Sequence, residues 1–113
     1  MDYGDRLLLD LAWEGEPAFR VHLGGDVSAD PPEGVVVEPW DGELVVYSLT
    51  GERLDLRESG VRLERDSAAI LRFDLAGDSV RLASVELRDG RIVETDARVA
   101  RPDRSDTVSI RPL

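Results

Sequence analysis

The chain has 113 residues, with 24 Asp plus Glu against 14 Lys plus Arg and a formal net charge of −10 at pH 7; that size suits one domain spanning residues 1–113. Every basic residue is arginine, and Cys, Lys, Asn and Gln do not occur, which excludes a disulfide framework and a thiolate metal centre. So negative a charge works against generic binding to nucleic acid or anionic lipid, so the expected partners are proteins, with no nucleic acid and no membrane.

Apolar and polar residues alternate with period two along most of the chain, the signature of half-buried strands. Met1 to Arg6 is acidic and lacks the basic region and long apolar run of a secretory signal, so the expected location is cytoplasmic. Leu7, Leu9, Leu11 and Trp13 share one face of a first strand, opposite Arg6, Leu8, Asp10 and Ala12. Glu14-Gly15-Glu16-Pro17 reads as a turn into a second strand, with Phe19, Val21 and Leu23 on one face and Arg20 and His22 on the other; the spacing predicts a hairpin. Gly24 to Gly34 contains Pro31-Pro32 and reads as a loop.

Val35-Val36-Val37 follows, then a turn at Pro39-Trp40-Asp41-Gly42, a strand from Leu44 to Leu49, a turn at Thr50-Gly51 and an alternation of Leu54 with Leu56. Glu58-Ser59-Gly60 is expected to turn before Val61 and Leu63, and Arg65 to Ala69 is the one stretch with a trace of helical spacing. Leu71, Phe73 and Leu75 share a face, and Ala76-Gly77-Asp78 turns. From Val80 to Leu87 the inward set switches from Val80 and Leu82 to Val85 and Leu87, which predicts a bulge. Asp89-Gly90 signals a hairpin into Ile92-Val93, and Val108 and Ile110 form a last strand.

Nine or ten short strands at this spacing predict an all-β fold, an antiparallel β-sandwich, with a small closed or partly open β-barrel as the alternative. The expected core comprises Leu7, Leu9, Leu11, Trp13, Phe19, Val21, Val36, Val46, Leu54, Leu56, Leu63, Leu71, Phe73, Leu75 and Leu82. Arg53, Arg62 and Arg72 are each followed two residues later by an acid, Asp55, Glu64 and Asp74, an outward charge ladder on the face opposite Leu54, Leu63 and Phe73.

Charge is unevenly divided: residues 1–56 carry thirteen acids and three arginines, residues 57–113 eleven of each. Arg98, Arg101 and Arg104, around Pro102-Asp103, are less paired and suit an anion or a partner. Trp40, in a turn, is the expected exposed aromatic, with Tyr47 beside it where the hairpin folds back. Asp26, Asp30 and Glu33 offer the oxygen ligands calcium needs, without the spacing of an EF-hand, and no other cofactor is expected. His22 is the only imidazole, so a Ser-His-Asp site would need it with Ser28 or Ser48, yet no Gly-x-Ser-x-Gly elbow occurs; a solvated or cross-strand-paired ring is the ordinary reading. These features read as a non-enzymatic binding or assembly module. It would recognise a protein partner or another copy of itself through the acidic N-terminal half and the Arg-rich C-terminal half. The alternative is a small carbohydrate- or calcium-binding module, and a small hydrolase comes third.

Overall fold

The computed structural model describes residues 5–24, 34–50, 53–76, 78–101 and 108–112. They form nine strands: β1 (Asp5–Ala12), β2 (Phe19–Leu23), β3 (Gly34–Trp40), β4 (Glu43–Thr50), β5 (Arg53–Arg62), β6 (Ala68–Leu75), β7 (Ser79–Leu87), β8 (Ile92–Ala100) and β9 (Val108–Pro112). A four-stranded sheet has the order β1-β6-β7-β8 and a five-stranded sheet the order β5-β4-β3-β2-β9, with every neighbouring pair antiparallel. The fold is an all-β sandwich of two open sheets, with no helix among the described residues.

Alternation decides which residues face the other sheet. Leu71 and Phe73 of β6, Val80, Leu82 and Val85 of β7 and Ala97 and Val99 of β8 meet Phe19, Val21 and Leu23 of β2, Val35 and Val37 of β3 and Leu44 and Val46 of β4 in one cluster. Leu7, Leu9, Trp13 and Leu75 are half-buried against it, as their faces predict. Burial of this layer is the main favourable term in the fold, about 1.5–3 kcal/mol for each fully buried large side chain.

The two Asp-Gly hairpins form with different geometry. Trp40 pairs with Glu43 across a two-residue loop in which Asp41 and Gly42 both have positive φ, 53° and 85°, the type I′ conformation that Asp-Gly favours. At Asp89-Gly90 the loop is longer: the Leu87 N–H bonds to the Arg91 carbonyl at 2.8 Å, and the Asp89 carboxylate accepts from the Arg91 N–H. The expected bulge in β7 is present. Arg72 pairs with Ser84 but Phe73 with Leu82, leaving Ala83 as the extra residue, so Leu82 and Val85 both point inward.

Four expectations are corrected. β1 and β2 are not a hairpin: β1 pairs with β6 and β2 with β3 and β9, so the chain crosses between sheets at Glu14–Pro17. That corner is held to the next crossover, where the Asp66 N–H bonds to the Gly15 carbonyl at 3.0 Å and the Trp13 indole N–H to the Glu64 carbonyl at 2.7 Å. Glu58-Ser59-Gly60 is not a turn but an irregularity inside the ten-residue β5, where the Ser59 hydroxyl donates to the Leu44 carbonyl at 2.6 Å and accepts from the Val61 N–H. Residues 65 and 66 form a bend and Ala68 and Ala69 already belong to β6, so this stretch is not a helical turn.

The fourth correction concerns the core. Leu54 and Leu56 lie on the outer face of the five-stranded sheet, Leu54 53% exposed, while Asp55 takes the inner side and accepts from the Ala100 N–H of β8 at 3.2 Å. In the first part of β5 the polar–apolar alternation is therefore inverted, with Asp55 set against the end of β8, whereas beyond the irregularity Val61 is buried in the core. Val36 is buried, but on the face away from the inter-sheet cluster. Of the charge ladder, Arg62, Glu64, Arg72 and Asp74 do lie opposite buried Leu63 and Phe73.

Phe73→Ala should therefore cost about 3–5 kcal/mol of stability, whereas Leu54→Ala should stay within about 0.5 kcal/mol. Urea unfolding of the two variants checks the assignment of inner and outer faces.

Candidate functional site

β3 is the central strand of the five-stranded sheet, and its residues Gly34 to Pro39 are all buried. Its outer face carries Val36, Glu38 and Trp40, next to His22 and Arg20 on β2 and Val45 and Tyr47 on β4. Val36, Val45, His22 and Glu38 are each no more than 5% exposed. Their burial forms a second small interior on the side of the sheet turned away from the main core.

A buried carboxylate must be matched by donors, because its desolvation costs several kcal/mol otherwise. Glu38 has three. One of its oxygens accepts the Arg20 Nε–H at 2.7 Å, and the other accepts the Trp40 indole N–H at 2.7 Å and the Tyr47 hydroxyl at 3.0 Å. The rings of Trp40 and Tyr47 are tilted by 44° against one another with centroids 5.7 Å apart, within the separation at which aromatic pairs attract. Arg20 is held above its ordinary pKa, first by the hydrogen bond to Glu38. The Tyr47 phenol is pushed up to about 12 by burial, and then by the charge of Glu38 and the hydrogen bond to it.

The structure thus brings together the two aromatics that the hairpin pattern singled out, with Trp40 44% exposed and Tyr47 half-buried. Pattern reading missed Glu38 and Arg20. An acid inside an apolar strand, at the same parity as Val36 and two residues before a tryptophan, was the available signal. Tyr47 lies opposite Leu56 in the β4–β5 register, so the apolar surface continues from Trp40 through Tyr47 to Leu56 and Leu54.

The other sequence candidates lie elsewhere. Arg98 is exposed on the outer face of the four-stranded sheet, between inward Ala97 and Val99. Arg101 donates to the Ala76 carbonyl at 2.8 Å, and its N–H bonds to the Asp78 carbonyl, tying the end of β8 to the β6–β7 connection. Arg104, Asp26, Asp30, Glu33 and Ser28 lie outside the described residues. His22 is on the outer face as expected but buried instead of solvated, whereas Ser48 is on the inner side with Leu44 and Val46, so the sheet separates the two. The two charge halves of the chain are interleaved in space: β1 joins β6, β7 and β8, and β9 joins β2.

A separate hollow of about 300 Å3 opens at the end of the sandwich beside Trp13, between the bend at residues 65 and 66 and the β7–β8 loop. Arg62, Arg65 and Arg88 at its rim are engaged by the Asp41 carbonyl, the Glu16 carboxylate and the Asp66 carbonyl respectively. Among the described residues no group of His, Asp or Glu side chains is arranged to hold a metal ion. Compared with family models, with curated proteins and with solved structures, the chain matches none.

Glu38→Gln removes the charge opposite Arg20 and turns one of the two acceptor oxygens into a donor, so that either Arg20 or the Trp40–Tyr47 pair loses its acceptor, and should cost about 1–3 kcal/mol. It should also bring the Tyr47 titration below about 12 while leaving it above 10, since burial, the largest cause, persists. Because the folded-state value lies above the ordinary one, Tyr47 contributes stability that is complete below pH 10 and is lost as pH rises from 10 to about 12. Ultraviolet-difference titration and urea unfolding at alkaline pH measure both effects, and Tyr47→Phe should remove that part of the slope.

Proposed function

We propose that the protein is a non-enzymatic binding module whose recognition surface is the outer face of the five-stranded sheet, and that its partner is a protein. The observation that carries this reading is the exposed Trp40 ring held by its own N–H on buried Glu38, beside Tyr47 on the same carboxylate. An aromatic side chain immobilised before binding loses little conformational entropy on contact, which is what a binding anchor requires. Trp, Tyr and Arg, the types enriched at such anchors, occur together here, and exposed Leu54 extends the apolar area.

The same geometry favours a protein over a carbohydrate. Sugar recognition needs polar groups beside the aromatic platform, but both oxygens of Glu38 already accept hydrogen bonds from Arg20, Trp40 and Tyr47. Beside the Arg20 guanidinium, 39% exposed at its edge, the surface running from Trp40 and Tyr47 to Leu56 and Leu54 is aromatic and aliphatic, the chemistry of an apolar side-chain contact.

Trp40→Ala and Leu54→Ala variants that unfold like the parent chain should both lose a protein captured by the parent, with retention falling at least tenfold for Trp40→Ala. Equal capture by parent and Trp40→Ala protein, or glycan binding that depends on Trp40, would overturn the reading.

A further inference from the structure

We infer that β1 is a self-complementary sheet edge through which two copies of the chain pair, antiparallel and about a twofold axis at Leu8, joining their four-stranded sheets into one. The inference rests on β1 and its surroundings and is independent of the Trp40 face.

β1 ends the order β1-β6-β7-β8, and among the described residues its only strand neighbour is β6. The pairing runs through all eight residues, from Asp5↔Leu75 to Ala12↔Ala68, without a register shift. Open edges are usually blunted by Pro, a bulge or charged side chains; β1, DRLLLDLA, has no Pro and no bulge, and its outward charges, Arg6 and Asp10, are of opposite sign, so they can pair with a second copy instead of repelling it. The Trp13 N–H bonds to the Ser67 carbonyl at 3.0 Å, in the same register as β1 and β6, and this sets the phase of the ladder. In an antiparallel pair the residues whose N–H and C=O point to the neighbour alternate with residues whose groups point away. The odd-numbered residues of β1 therefore face β6, and Arg6, Leu8 and Asp10 present their backbone groups to the open edge.

Together with Ala12, those three residues are also the outward side chains of the strand, and all are exposed, Leu8 to 63%. Placing Leu8 opposite Leu8 of a second copy puts Arg6 opposite Asp10 of that copy, and Asp10 opposite its Arg6. Each of these three pairs exchanges two N–H···O bonds. On the inner face Leu7 then meets Leu9 of the second copy. A shift of two residues in either direction sets Leu8 against a charge, Arg6 or Asp10, and a shift of one sets outward side chains against inward ones. Only the Leu8-centred register matches unlike charges and leucines throughout.

A second observation marks the same side of the molecule. Val108 and Ile110 of β9 pair with Leu23 and Val21, so they face inward, yet they are 38% and 48% exposed. Ile110 shares a cleft with Leu11 and Trp13, where the sandwich is open between β1 and β9. A second copy docked along β1 sets further inward leucines beside this opening.

Sedimentation velocity over a concentration series tests the inference. The parent chain should form a dimer, and Asp10→Arg, which faces Ile70 within its own sheet, should weaken it at least tenfold while keeping the parent's circular dichroism. Arg6→Asp should weaken it likewise, with a loss in the monomer's folding equilibrium of up to about fivefold, or about 1 kcal/mol, because Arg6 stands opposite Asp74 in its own sheet, and the double exchange Arg6→Asp/Asp10→Arg should restore the homodimer. Mixing the two single variants should give a heterodimer, because unlike charges then stand opposite at both positions. Trp40→Ala should leave the dimer intact. A parent chain that stays monomeric throughout the series, or a dimer unchanged by either charge reversal, would overturn it.

Discussion

Phe73, Leu71 and Leu82 from one sheet and Val37, Leu44 and Val46 from the other are withdrawn from water in a single layer, and the remaining architecture serves to keep that layer closed. Two sheets can cover each other only if every strand offers an apolar face of matching parity. Where a strand has to change its pattern, it does so by a local device: the extra residue at Ala83 lets β7 keep Leu82 and Val85 on the same side. In β5 the Ser59 hydroxyl takes over backbone bonding at the irregularity, so that Val61 and Leu63 still reach the core. The crossovers between sheets are fastened by side chains and backbone from distant segments, as at Trp13 and Glu64.

The five-stranded sheet differs from the other in being buried on both faces at its centre. On its outer side burial is organised by a charge instead of by aliphatic packing. Glu38 gathers donors from β2, β3 and β4, so one carboxylate links three strands and orients two aromatic rings. Such a cluster is less favourable per unit area than a hydrocarbon patch, but it admits fewer alternative arrangements, because each donor has one acceptor to satisfy. The consequence is an aromatic pair that is fixed in position and still open to solvent on the Trp40 side.

The edges are unequal. β5 and β8 approach one another across the sandwich, where Asp55 accepts from the backbone of Ala100 and also pairs with Arg57 at 2.8 Å. On the opposite side β1 and β9 leave the layer open, with inward-facing Ile110 half exposed. The molecule is thus closed on one side and open on the other, and this asymmetry of edges has no counterpart in the asymmetry of charge along the chain.

Period-two alternation, Asp-Gly turns and the switch of parity in Val80 to Leu87 were enough to establish from the sequence an all-β fold, most of the inward residues, both hairpins and the β7 bulge. They also singled out Trp40 and Tyr47, because an aromatic beside a two-residue turn stands at the end of a sheet. These features are local: each depends on the geometry of a few consecutive residues. The sheet to which a strand belongs is not local, since alternation marks a face without saying what covers it. Hence the separation of β1 from β2, the outward position of Leu54 and Leu56 and the burial of His22 were decided only by tertiary structure. The same is true of Glu38, whose carboxylate becomes tolerable inside the protein only when Arg20, Trp40 and Tyr47 converge on it from three strands. The chain's own pattern set the faces; the pairing of distant strands determined which of them would be buried.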